Sequence, residues 1–180
     1  MKRTVFIILF RGVGGATQLP VKPLREKLAD AGFVDVATYI NSGNAVLVSD
    51  QSRDDTINAV ASICAREFGF GKDIYAVTLA EWEDLIDNNP FPEAVEVPKF
   101  LHAAVLASAP QKEAVETLRG HAGEGEKIAV VGKVAYLHTP NGFGRSKLAE
   151  KFDKGIGVAN TARNWNTVLK LADLARQRAG

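Results

Sequence analysis

One order of segments occurs twice along this chain, and it restricts the fold more than any single motif. In the first half, Val5–Phe10 is a continuous apolar run of strand length, and Leu24–Ala29 follows at helical spacing with Pro20 and Pro23 tolerated in its first turn. Val34–Ile40 and Ala45–Val48 are β-prone runs flanking Asn41-Ser42-Gly43-Asn44, a composition that accepts positive φ and therefore predicts a hairpin. Asp54–Phe68 then has amphipathic helical periodicity and Ile74–Thr78 is a strand. Glu81–Ile86 is a short helix stopped by Asn89-Pro90-Phe91-Pro92.

After that proline-rich, acidic stretch the order returns. Phe100–Ala107 is expected as a strand and Lys112–Arg119 as a helix. Lys127–Val131 and Val134–His138 form a hairpin about Gly132-Lys133, Ser146–Phe152 is a helix, Gly157–Thr161 a weak strand and Trp165–Arg178 a final helix. Strand, helix, strand, strand, helix, strand in each half is the split βαβ order. The expectation is an α+β fold of two ferredoxin-like subdomains, residues 1–92 and 99–180 with a linker at 93–98, each an antiparallel sheet with helices packed on one face.

The usual 4-1-3-2 strand order then places the loops. It brings Arg11-Gly12-Val13-Gly14-Gly15 beside Asn41-Ser42-Gly43-Asn44 in the first half, and Asn141–Lys147 beside Thr161–Asn166 in the second.

Charge is uneven along the chain. The formal net charge is +1, yet from Arg145 onward eight bases face three acids, leaving fourteen bases and eighteen acids before it. A basic end on a mildly acidic body favours an anionic partner there. No apolar run reaches membrane-spanning length, and the N-terminal run, interrupted at Arg11 with no cleavage pattern after it, reads as a buried strand and not a leader. The lone Cys64 is in phase with Ile57, Val60, Ala61 and Phe68, so it reads as a core residue and fits a reducing cytoplasm. A monomer is the default expectation.

Polar clusters carry the functional reading. Gly12, Gly14 and Gly15 with Arg11 have the look of a phosphate cradle, but the spacing matches neither a Rossmann fingerprint nor a P-loop, and a tight turn accounts for them as well. Asn41, Ser42 and Asn44 suit a ligand or the hairpin itself. Arg145 and Lys147 flank Ser146, a natural N-cap, and two cations before a helix N-terminus suit a carboxylate or phosphate. In Arg163-Asn164-Trp165-Asn166-Thr167, Asn164 or Asn166 caps the last helix, and Trp165, Val168, Leu169 and Ala172 form its buried stripe. That leaves Arg163 to hold an anion or an acidic side chain. The three histidines have no zinc-like spacing and no cofactor motif is present. Glu81, Glu83, Asp84 and Asp87 read as a solvated helix face, with a Mg²⁺ role left open.

These motifs resemble the bacterial domain-of-unknown-function family 1697. The likeness lies in the first strand and its Arg-Gly…Val-Gly-Gly loop, Thr38–Asn44, Asn89-Pro90-Phe91-Pro92, Gly144-Arg145-Ser146-Lys147-Leu148 and Arg163–Val168, nearly the whole chain. Similar proteins have Arg-Gly-Ile-Asn-Val-Gly-Gly where Val13 directly follows Gly12 here, so this loop is two residues shorter and lacks an asparagine. The resemblance implies site positions and no reaction.

The resulting expectation is a binding module for a phosphate-bearing ligand or nucleic acid, held by Arg145, Lys147, Arg163 and Asn164, with Arg11, Asn41, Ser42 and Asn44 as a second cluster. Two other readings stay open: an enzyme acting on an anionic substrate at the same clusters, and arginines that serve only as structural ties. The hairpin strands Ala45–Val48 and Val134–His138 lack the interleaved aromatics of an RRM, which counts against that mode of RNA binding.

Overall fold

The computed structural model describes residues 2–13, 18–40 and 43–180. Two compact units emerge from the contacts: residues 1–84 with 170–180, and residues 85–169. These limits differ from a division at the proline-rich stretch, because residues 92–100 are folded. They form two 3₁₀ turns, Pro92–Glu96 and Pro98–Phe100, with Phe91 and Ala94 buried. Asn89 Oδ1 accepts the Phe91 amide at 3.0 Å, and Lys127 reaches Glu93 at 3.5 Å, so the expected linker is part of the second unit.

The first unit contains β1 (Thr4–Phe10), α1 (Val21–Asp30), β2 (Val34–Thr38), β3 (Asn44–Ser49), α2 (Arg53–Phe68), β4 (Ile74–Thr78) and most of α3 (Leu79–Asp87). Its sheet has the order β2-β3-β1-β4, every pair antiparallel, which is the 4-1-3-2 arrangement. The unbroken apolar run of β1 is explained by burial on both faces. Phe6, Ile8 and Phe10 join Leu24 and Leu28 of α1 and Val60, Ile63 and Cys64 of α2 in one core, while Ile7 and Leu9 on the other face have no exposure at all. Cys64 is therefore a core residue, and burial pushes its thiol up to about 12. Ser52 caps α2 by accepting the Asp55 amide, and Gly69 ends it in the left-handed conformation at φ 64°.

The second unit repeats the arrangement with β5 (Leu101–Leu106), α4 (Lys112–Arg119), β6 (Lys127–Val131), β7 (Val134–His138), α5 (Lys147–Gly155) and β8 (Asn160–Asn164), in the order β6-β7-β5-β8. Ala104, Leu106, Ala135 and Leu137 face Val115 and Leu118 of α4 and Leu148 and Phe152 of α5. The opposite face carries Leu101, Ala103 and Tyr136, again buried, and the Tyr136 hydroxyl donates to the Leu85 carbonyl at 2.5 Å.

α6 runs Trp165–Ala179. Its buried positions are Trp165, Thr167, Val168, Leu171, Ala172 and Ala175; Leu169, expected in that stripe, is 40% exposed and Leu171 takes its place. β8 also begins later than expected, because Gly157 sits at φ 73° and Asn160 anchors the strand start on Asp153 at 3.2 Å. Among the described residues no helix is long and apolar enough to cross a membrane.

Candidate anion site in the second unit

Antiparallel register gathers three strand ends at one edge of the second sheet. Leu101 pairs with His138 and His102 with Asn164, so the start of β5, the end of β7 and the end of β8 lie together. The chain leaving β7 is closed by two backbone bonds, Thr139 N to Phe100 O and Gly142 N to Thr139 O, both 2.9 Å. Gly142 then adopts φ 110°, a conformation open to glycine, and the 3₁₀ turn Phe143–Arg145 follows. The Phe143 ring stacks on His102 with centroids 4.0 Å apart and planes at 28°.

That stack seats the turn over the sheet edge and aims it into α5. Ser146 is the N-cap, its Oγ accepting the Ala149 amide at 3.1 Å, while Leu148 and Phe152 anchor the helix in the core. Arg145 and Lys147, on either side of the buried Ser146, are exposed. Neither has a hydrogen-bond or ion-pair partner among the described residues. The first amides of α5 have no intrahelical acceptor, so partial positive charge adds to the two cations.

Asn164 lies across from His102 and caps α6: its Oδ1 accepts the Thr167 amide at 3.0 Å. Its Nδ2 has no partner among the described residues. His102 was not singled out by its sequence position, yet it organises this edge. Burial lowers it from 6.5 to about 4, and its Nδ1 is enclosed without a partner, so the ring is neutral at physiological pH. Only its alternation within β5 was visible in the sequence; the stack with Phe143 is a long-range contact with no local signature.

Arg163 does not join this edge. Successive strand residues face opposite ways, and Arg163 pairs with Ala103 while Asn164 pairs with His102. Its Nη1 donates to Thr161 Oγ1 at 2.7 Å and to the Ala162 carbonyl at 2.8 Å, and burial lowers the guanidinium to about 10, still cationic at neutral pH. The two expected walls of one site thus reduce to the Arg145–Lys147 turn with Asn164.

In the first unit the loop after β1 does meet the β2–β3 turn, as the strand order requires: Phe10 N donates to Gly43 O at 2.9 Å. Gly43 has φ 78°, and a Cβ there would stand 2.8 Å from the Phe10 carbonyl oxygen, so the turn needs glycine. Asn44 is 2% exposed and donates from Nδ2 to the Tyr39 carbonyl at 3.3 Å, a hairpin bond. Arg11 is half-buried and its amide donates to Asp73 O at 3.0 Å. Asn41, Ser42, Gly14 and Gly15 lie outside the described residues. On the acidic helix face, Glu81 and Glu83 are engaged. Burial raises the Glu81 carboxyl, but bonds from Arg53 and Thr78 outweigh it and hold the group below its ordinary value; Glu83 meets Arg176 at 3.1 Å.

The model of a family described as "Protein of unknown function (DUF1697)" matches residues 3–136. The chain belongs to that family. The match in this DUF1697 member ends at Tyr136, before the Gly-Arg-Ser-Lys and Arg-Asn-Trp-Asn motifs. The fold has a solved counterpart, a conserved bacterial protein from Streptococcus pneumoniae: TM-score 0.76, 18% identity, 97% of this chain and 99% of that one covered. No curated protein matches the DUF1697 chain.

Proposed function

We propose that the second unit binds a phosphate-bearing ligand at the N-terminal end of α5, with Arg145 and Lys147 as counter-charges and the Asn164 amide as an additional donor. The observation that carries this reading is the pair of exposed cations, without a partner among the described residues, held on either side of a capped helix start. The His102–Phe143 stack already fixes the backbone of the turn, so binding an anion has to order only the Arg145 and Lys147 side chains. Glu150 offsets part of the charge one turn on, and Lys151 next to it restores it.

A small phosphate ester is favoured over nucleic acid by the sheet itself. RRM-type binding stacks bases on exposed aromatics of the sheet, and Tyr136 is wholly buried. One chain supplies every residue of the site, so a monomer suffices, and the reading sets the protein in the cytoplasm, where a single buried thiol is at ease.

Two assays run together test it. Thermal-shift screening of nucleotides and sugar phosphates should give stabilisation by at least one of them, lost in Arg145→Ala/Lys147→Ala. Fluorescence polarisation with single-stranded and duplex oligonucleotides at low salt should show no saturable binding. Binding of oligonucleotides that depends on both cations would replace the small-ligand reading with a nucleic-acid one. Silence in both assays would remove the anion site altogether.

A further inference from the structure

A second groove, in the first unit, has a composition of its own. It is an open cleft of about 630 Å³, a volume within the range of small-molecule sites. Its floor follows from strand register: Val34 of β2 pairs with Val48 of β3, which pairs in turn with Val5 of β1, so three valines stand in one row on the same sheet face. Val34 is 36% exposed at the open side, and Leu79 and Ala80 close the β4 side.

The rim is cationic. Lys2 and Arg3 are exposed and have no ion-pair or hydrogen-bond partner among the described residues. Arg178, at the end of α6, is held in place by its Nη1 bond to Leu174 O at 2.8 Å and its Nε bond to the Asp35 carbonyl. Asp35 is the one acid among the described lining residues, and Arg178 engages its backbone and not its carboxylate. Its φ of 50° belongs to the left-handed region that disfavours a side chain, and it lies where the β2–β3 register shifts, so β2 turns away from regular pairing at the groove.

We propose that this groove binds a small amphipathic anion, a carboxylate or phosphate monoester on a short apolar body. The head would meet Lys2, Arg3 and Arg178, and the body would cover the Val5–Val48–Val34 row. A purely polar anion leaves the valines uncovered, and a neutral apolar molecule leaves the cations unanswered. This site shares no residue with the α5 site, so each stands or falls separately.

The test is a ¹H–¹⁵N NMR titration of the full chain, below micelle-forming concentrations, with octanoate and octyl phosphate as probes and octanol and inorganic phosphate as controls. Saturable shifts at the amides of Lys2–Val5, Val34, Asp35, Leu79 and Ala80 are expected with one or both amphipathic anions. Binding should weaken about tenfold or more in Lys2→Glu/Arg3→Glu, because each reversal replaces an attractive rim charge with a repulsive one. Both positions are exposed, and the Arg145→Ala/Lys147→Ala variant should bind as the parent does. Absence of saturable shifts at those amides, unchanged affinity in the charge-reversed variant, or equal binding of octanol or inorganic phosphate would overturn the proposal.

Discussion

Acidification from pH 7.5 to 5.0 should weaken this protein through His102 in particular. Burial under Phe143 lowers that imidazole from 6.5 to about 4, whereas the unfolded chain keeps the ordinary value. Because the folded state holds the proton less tightly, stability is complete above pH 6.5 and declines as pH falls through 6.5 towards 4. At pH 5 the unfolded imidazole is almost fully protonated and the folded one about one-tenth so, a difference of about 2 kcal/mol. Urea unfolding at pH 7.5 and 5.0 in the parent and in His102→Leu reads this directly. Contributions from every other group are common to both proteins and cancel in the double difference. For an m-value of about 2 kcal/mol/M, the parent's midpoint should fall about 1 M further than the variant's between the two pH values. Equal shifts in parent and variant would refute the reasoning, as would a folded His102 titrating near 6.5 by NMR.

Other expectations follow from the caps, the buried arginine and the thiol. Ser146→Ala and Asn164→Ala should each cost about 1 kcal/mol in denaturant unfolding, because each leaves a first-turn amide without its acceptor. Arg163→Ala should cost about 1–3 kcal/mol by the same measurement, since it removes the bonds to Thr161 and Ala162 along with buried aliphatic contact. Arg145→Ala and Lys147→Ala, both exposed, should stay within about 0.5 kcal/mol of the parent. Cys64 should resist a thiol-specific chromogenic reagent at pH 8 and react only on unfolding, as a buried thiol at about 12 is neither charged nor accessible.

The fold was legible where local pattern and tertiary setting agree. β4, α4, β6 and β7 have the limits that alternation, helical spacing and the Gly132-Lys133 turn imply, and the sheet order follows from split βαβ connectivity. β8 was displaced because Val158-Ala159 has strand-like composition, while the left-handed Gly157 and the Asn160 side-chain bonds postpone pairing to Asn160. That shift of three residues matters for the site: it converts Arg163 and Asn164 from loop neighbours into strand neighbours with opposite faces. The roles of Ser146 and Asn164 were readable as caps because capping is local. The His102–Phe143 stack was not, since it joins residues forty-one positions apart through a register fixed only by the whole sheet.

The most direct test of the central claim is a ¹H–¹⁵N NMR titration of the full chain with pyrophosphate, read at Gly144–Leu148. The account predicts saturable shifts at these amides and at the Asn164 side-chain amide, abolished in Arg145→Ala/Lys147→Ala while the rest of the spectrum is unchanged. Shifts that persist in that variant, or no saturable shift along this turn, would contradict it.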